Sequence, residues 1–340
     1  MKKRFPLKLR LAIWGFLLVG VLAFLSWCLI MPGQSFRGPL PPLDKETEQL
    51  AKDLEGRVRF LSQQVGERHR HTFKAQRGGP AELEQAGDWV EKELAAAGLT
   101  IERQAYTGKD PNDKFCNIQA ERKGNSEIVV VGAHYDSIPL TPGADDNASG
   151  VAILIELAKR LQPCARTVRF VAFTNEEPYY FQTEEMGSLV YARRCRERKE
   201  NIAAMISLET LGYYKDEPGS QKYPFPLGLL YPSTGNFVGF VGNPTSRWLA
   251  HQCIGTFRKD TPFPSEGACL PEQIPGVGWS DHWSFWQVGY PAVMVTDTAP
   301  FRNPNYHQTT DLPDTLDYQR MARVTLGLHK VLQSLATDQS

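Results

Sequence analysis

Residues 129–150, VVVGAHYDSIPLTPGADDNASG, constrain the fold more than any other stretch of this chain. An apolar, β-branched run gives way to a loop dense in His, Asp, Gly and Asn. A strand buried on both faces of a sheet reads this way, with polar residues beginning where the strand stops. In open α/β sheets ligands bind outside the carboxyl ends of the strands. His134 and Asp136 stand two apart, so an extended backbone projects both to one side. Asp145 and Asp146 follow a Pro/Gly turn, and Ser149-Gly150 lead into an apolar helical stretch at residues 151–161. One His with two or three carboxylates suits a hard or borderline divalent cation, zinc above all. Taken alone, the segment also fits a strand followed by a solvated acidic loop.

The rest of the chain is read outward from there. Its 340 residues allow one large domain or two small ones, and a formal net charge of zero leaves no basic patch to argue for nucleic acid. Residues 1–10 carry five Lys and Arg, and residues 11–31 carry no charge at all. That pattern predicts a single-pass transmembrane anchor. Its basic flank stays cytoplasmic and the remaining chain lies on the extracytoplasmic side, periplasmic or extracellular. Ser26-Trp27-Cys28 lacks the small residues of a cleavage site, and Trp27 before Cys28 spoils a lipoprotein site, so the segment is expected to stay uncleaved. Residues 32–43, rich in Pro and Gly, read as a linker, and residues 44–340 as the folded domain.

Within that domain, helical spacing appears from Asp44 (Leu50, Leu54, Val58, Leu61) and over residues 80–97 (Ala86, Trp89, Val90, Leu94). Strands are expected at 100–106, 117–121, 167–174, 203–208, 237–241 and 291–296, and helices at 247–257 and 318–335. Residues 213–280, rich in Pro and Gly, are expected to wall the site rather than form a second domain. His69 and His71, in a basic loop, are read as surface residues.

Strand after strand ends in a potential ligand: His134, then Glu177, then Glu209, then His307, with Asp146 in the loop after the first. Two His and three carboxylates are the inventory for two zinc ions sharing one carboxylate, a pair that clamps both oxygens of a hydrolytic displacement. Glu176, next to Glu177 but pointing differently along the chain, is then free to move a proton.

These residues resemble peptidase family M28, the di-zinc aminopeptidases, in a membrane-anchored, bacterial-type form. The resemblance rests on AHYDS (133–137), GADDNASG (143–150), NEE (175–177), SLET (207–210), SDHWSF (280–285) and YHQTTDLPDTLDY (306–318), in the family's order. It implies an α/β fold with a single mixed, largely parallel sheet, flanked by helices on both faces in the zinc-exopeptidase manner. It implies that His134, Asp146 and Glu209 hold one zinc and Asp146, Glu177 and His307 the other. Asp136 would orient His134, Glu176 would act as general base, and Asp281 and His282 would support the site. A cis peptide between Asp146 and Asn147 belongs to the same pattern. The implied activity is removal of N-terminal residues from peptides or proteins.

Three departures from the family pattern stand out. Glu209 occupies a position where the family usually has Asp, residues 178–186 interrupt the usual short link, and 213–280 offers no landmark. Two other readings follow from the same resemblance. One is glutaminyl-peptide cyclisation, which on related folds typically uses one zinc. The other is a non-catalytic binding ectodomain, which would be expected to have lost ligands. Outside the anchor, five cysteines are an odd number for an oxidising compartment, and Cys253 with Cys269 is the expected pair.

Overall fold

The computed structural model describes residues 7–70 and 79–337. The apolar N-terminal stretch is one helix, α1 (Leu7–Leu29). No helix among the described residues is long and apolar enough to cross a membrane. The side chains of residues 7, 10–12, 18, 21 and 22 lie outside that description, and so does His71.

The folded domain opens with α2 (Lys45–Arg59), whose first turn is capped by Asp44, its carboxylate accepting the Thr47 N–H at 2.8 Å. Then come α3 (Pro80–Ala95), β1 (Thr100–Thr107), β2 (Lys114–Arg122), β3 (Glu127–His134), α4 (Gly150–Arg160), β4 (Thr167–Phe173), α5 (Gly187–Glu197) and β5 (Asn201–Glu209). The second half supplies β6 (Val238–Gly242), α6 (Arg247–Asp260), β7 (Ser265–Cys269), α7 (His282–Gln287), β8 (Ala292–Thr296), α8 (Ala299–Arg302) and α9 (Tyr318–Thr337).

The strands form one 8-stranded sheet in the order β1-β2-β4-β3-β5-β8-β6-β7. Its centre, β4-β3-β5-β8, is parallel throughout, and β1, β2 and β6 run antiparallel to their neighbours toward the centre. β3 is buried on both faces, and its alternation divides the core. Val129, Val131 and Ala133 join the cluster covered by α2, α3, α4, α6 and α9. Ile128 and Val130 join a second cluster with Tyr191 and Cys195 of α5 and Phe285 of α7. Phe285 is thus part of the core.

Two expectations need correction. All six cysteines are free, so Cys253 and Cys269 are not paired; both are buried among apolar side chains and serve as small hydrophobes. His69 is no surface residue: it is buried and meets Glu67 at 3.3 Å. Residues 213–280 do build a wall, but they also extend the sheet, adding β6 and β7 beyond β8.

Candidate metal centre

The site lies at the carboxyl ends of the central strands. His134 is the last residue of β3 and Glu209 the last of β5, while Glu176 and Glu177 follow just beyond β4. Asp146 comes from the β3–α4 connection and His307 from the segment after α8. The parallel order β4-β3-β5 brings three of these strand ends side by side. Sequence separation is therefore no obstacle.

Distances define two groups with one member in common. Asp146 Oδ1 lies 3.1 Å from His134 Nε2, and Asp146 Oδ2 lies 3.1 Å from His307 Nε2. Glu209 completes the first group at 3.5 Å from His134 Nε2, and Glu177 the second at 3.2 Å from His307 Nε2. Within each triad, His134/Asp146/Glu209 and Asp146/Glu177/His307, the ligand-capable atoms all fall within 4.8 Å of one another. Glu176 stands in neither group; its carboxylate is 3.8 Å from His134 Nε2.

Each of these side chains is held by a second layer. Asp136 faces His134 Nδ1 at 3.5 Å, leaving Nε2 toward the carboxylates. The same Asp136 carboxylate accepts the backbone N–H groups of Glu176 and Glu177, each at 3.2 Å, so one residue aligns the imidazole and both glutamates. Ser280 donates to Glu209 Oε2 at 2.7 Å, and the Ile138 N–H donates to Glu177 Oε1 at 3.1 Å. The Tyr306 ring stacks on His307 with centroids 3.8 Å apart. The Asp146–Asn147 peptide is cis. Asn175, Thr210 and His307 all have positive φ, at 59°, 44° and 58°, so the backbone around the centre carries strain of the kind found at functional sites.

The donor set asks for cations. Among the described residues, His134 Nε2 and His307 Nε2 are buried and out of hydrogen-bond alignment with any partner, despite the carboxylate oxygens close to each. Burial pushes the Glu176 carboxyl well up and the Glu177 carboxyl to about 7. Burial also opposes charge on His307, but Asp146 and Glu177 outweigh it and hold the imidazole at about 10. Buried carboxylates packed this closely are costly unless positive charge stands among them. Two imidazole nitrogens and three carboxylates at these spacings fit zinc on the chemistry of the donors alone.

A second feature adjoins the centre. An apolar cleft of about 820 Å³, its open mouth included, runs from Glu209 past Thr296, Gly239 and Trp279 to Glu266. Its floor is one cross-strand row: Glu209 pairs with Thr296, Thr296 with Gly239, and Gly239 with Glu266. Residues in such a row share one face of the sheet. Gly239 keeps the floor low, because a Cβ there would meet the Thr296 carbonyl oxygen at 3.3 Å.

The model of peptidase family M28 matches residues 117–332, which include every ligand candidate. The chain belongs to peptidase family M28. It is 34% identical to the uncharacterized protein YfbL of Escherichia coli K12, over 93% of this chain and 95% of that one. It is 27% identical to leucine aminopeptidase 1 of Metarhizium robertsii, covering 72% of this chain and 60% of the relative. Among solved structures, the zinc aminopeptidase of Bacillus subtilis superposes with a TM-score of 0.66 at 15% identity, over 85% of this chain and 95% of that one. A Porphyromonas gingivalis glutaminyl cyclase does so at 0.62 and 18%, over 84% and 98%. At these identities the structures speak for the zinc-exopeptidase-like α/β fold.

Several residues of this M28 site were not singled out from the sequence. Asp311 accepts the N–H groups of Asp145 and Asp146, at 2.9 and 3.2 Å, and so sets the loop that carries Asp146. Asn147 donates to the Leu208 carbonyl and accepts from Gly150 and Thr210, tying that loop to the end of β5. Arg68, fully buried, donates to five backbone carbonyls, among them Tyr135, Pro142 and Gly143. The 178–186 insertion folds down beside the site. Tyr180 packs edge-on against Phe115, Glu184 pairs with Arg193, and Glu185 accepts the Lys109 N–H at 2.8 Å.

Proposed function

We propose that this M28 chain is a membrane-anchored zinc aminopeptidase, hydrolysing the N-terminal peptide bond of peptides or proteins on the extracytoplasmic side. The observation that carries the reading is the pair of triads sharing Asp146, with Glu176 beside them and in neither. His134, Asp146 and Glu209 would hold one zinc, and Asp146, Glu177 and His307 the other. Zinc, when bound, lowers the pKa of water toward neutrality and polarises a carbonyl.

The remaining chemistry falls to the chain. Asp136 fixes the His134 ring and the backbone of both glutamates. Glu176, buried and unshared, takes the proton of the attacking water. It returns that proton to the nitrogen of the breaking C–N bond, so that an amine leaves. The apolar cleft beside Glu209 is suited to an apolar side chain of the substrate. Five ligand candidates in two groups, rather than three in one, favour hydrolysis over cyclisation and over a binding role.

The anchor reading draws on the uncharged run 11–31 and on the five Lys and Arg that precede it. The deciding experiment uses the full chain in detergent micelles. Zinc content is measured alongside turnover of leucyl, phenylalanyl, lysyl and aspartyl amides, with and without a chelator, and of a peptide with N-terminal Gln. Apolar amides should be cleaved, with activity lost on chelation and restored by zinc. Formation of pyroglutamyl peptide without amide cleavage would replace the hydrolase reading by the cyclase one.

A further inference from the structure

The loop from Tyr223 to Tyr231 has two sides of opposite use. Inward, Tyr223, Leu227 and Tyr231 line the apolar cleft. Outward, Phe225 is 90% exposed, Leu229 78% and Leu230 63%. Scattered apolar side chains on a surface need no explanation, but three large ones on a single short loop form a patch.

What the loop is fastened to indicates what covers it. Leu227 and Tyr231 pack with Cys28, Ala268, Leu270 and Val277, and Leu29 packs on the same cluster. The loop is therefore seated against the last turn of α1. Beside that turn Arg247 donates to the Trp27 carbonyl at 2.7 Å and lays its guanidinium 4.8 Å over the Trp27 ring. Trp27 and the neighbouring Trp248 are themselves about half exposed. Tryptophans around the end of an apolar helix, with a basic group among them, are the composition of the membrane–water interface.

We propose that the 224–230 loop is an interfacial lip: Phe225, Leu229 and Leu230 insert into the extracytoplasmic surface of the bilayer and seat one wall of the cleft there. This rests on the reading of α1 as an anchor. The occupant is a phospholipid surface because the same loop, through Leu227 and Tyr231, packs with Cys28 and Leu29 at the end of that helix, where Trp27 and Arg247 lie. Insertion of this kind needs only apolar side chains at headgroup depth, not a spanning element. The cleft beside Glu209 is then held where peptides adsorbed to the membrane present their ends.

The test uses the full chain reconstituted into phosphatidylcholine–phosphatidylglycerol vesicles. Nitroxide labels are placed singly by Phe225→Cys, Leu229→Cys, Phe16→Cys and Glu84→Cys, with the labelled parent chain subtracted as background. Accessibility to oxygen, which partitions into lipid, is compared with accessibility to a water-soluble nickel chelate. The labels at 225 and 229 should favour oxygen as the label at 16 does, while the label at 84 favours nickel. If 225 and 229 behave like 84 while 16 stays in lipid, the lip is overturned and the anchor stands. If 16 also lies in water, anchor and lip fall together. If 225 and 229 are shielded from both quenchers and show spin coupling between copies, a second copy of the chain covers the patch and the lip is again overturned.

Discussion

At the scale of single residues, the adjacent pair Glu176 and Glu177 concentrates the chemistry. Both backbone N–H groups end on the Asp136 carboxylate, yet only Glu177 reaches His307 and only Glu176 stands clear of both triads. Glu176→Gln keeps the shape and removes the proposed base. Turnover should fall by about 10²–10⁴-fold with zinc content unchanged. Glu177→Gln should lower both zinc content and turnover. Metal analysis alongside steady-state kinetics separates the two: equal zinc loss in both variants would refute the division of labour. Asp136→Asn weakens the support for His134 and both glutamates at once, and is expected to cost about 10–100-fold in zinc affinity or activity.

At the scale of elements, the centre depends on how closely α4 approaches the end of β5. A Cβ on Gly150 would land 2.3 Å from Asn147 Oδ1 and 2.7 Å from the Leu208 carbonyl oxygen. Asn147 follows Asp146, and Leu208 precedes Glu209, so relief of that clash moves the mounts of two ligand candidates. Gly150→Ala should cost about 1–3 kcal/mol in urea unfolding, as overpacking does. It should also weaken zinc in a competition titration; lost stability with unchanged zinc affinity would disprove the link. On α7, burial pushes the His282 imidazole down to about 4 while Nε2 meets the Val277 carbonyl at 2.7 Å. From pH 6.5 toward 4 the unfolded chain takes up a proton that native His282 refuses, so stability falls with pH. The neighbouring Asp281 carboxyl, pushed up to about 7 by burial, acts in the opposite sense. The clean quantity is thus the difference from His282→Gln, which retains a donor for Val277. The parent should lose about 2–3 kcal/mol relative to that variant between pH 7 and 4.5. An unchanged parent-minus-variant difference in urea stability at the two pH values would refute it.

The same elements show what the sequence made legible. β3, β4 and β5 announce themselves as apolar runs ending in or just before ligand candidates, and β8 as an apolar run alone, because strands buried on both faces admit little else. β7, SEGAC, has no β-branched residue and sits at the sheet edge, so nothing local marks it. α5 starts straight after the 178–186 insertion, with no side-chain N-cap to announce it. The five ligand candidates could be read because each is an unusual residue at a strand end or in a loop. Asp311, Asn147 and Arg68 could not, because their work is done on backbone groups that only the folded chain brings within reach.

At the scale of the whole molecule, the segment joining α1 to the peptidase domain does more than span a distance. Edge strand β7 would otherwise offer a free row of backbone groups, and such edges invite aggregation. Here the linker covers part of it: Ser35 Oγ accepts the Ser265 N–H at 2.9 Å. Arg258 ties the Pro32 carbonyl, at 3.0 Å, to that of Ser265, at 2.7 Å. Cys28 is fully buried against β7, and Met31 packs so near Gly267 that a Cβ there would meet its Sδ at 3.2 Å. Two truncations separate cover from spacer. A chain beginning at residue 26 keeps this packing and loses most of α1. It should be monomeric without detergent, with the thermal midpoint and aminoacyl-amide turnover of the full chain. A chain beginning at residue 38 retains the whole metal centre but loses Cys28, Met31, Pro32 and Ser35. That loss should cost on the order of 2–4 kcal/mol, and β7 should be left open to pairing between copies. Size-exclusion chromatography and thermal unfolding of zinc-loaded samples read both effects. If the shorter chain stayed monomeric with an unchanged midpoint, residues 28–37 would be a tether only, and the edge of β7 would be protected by its own short length.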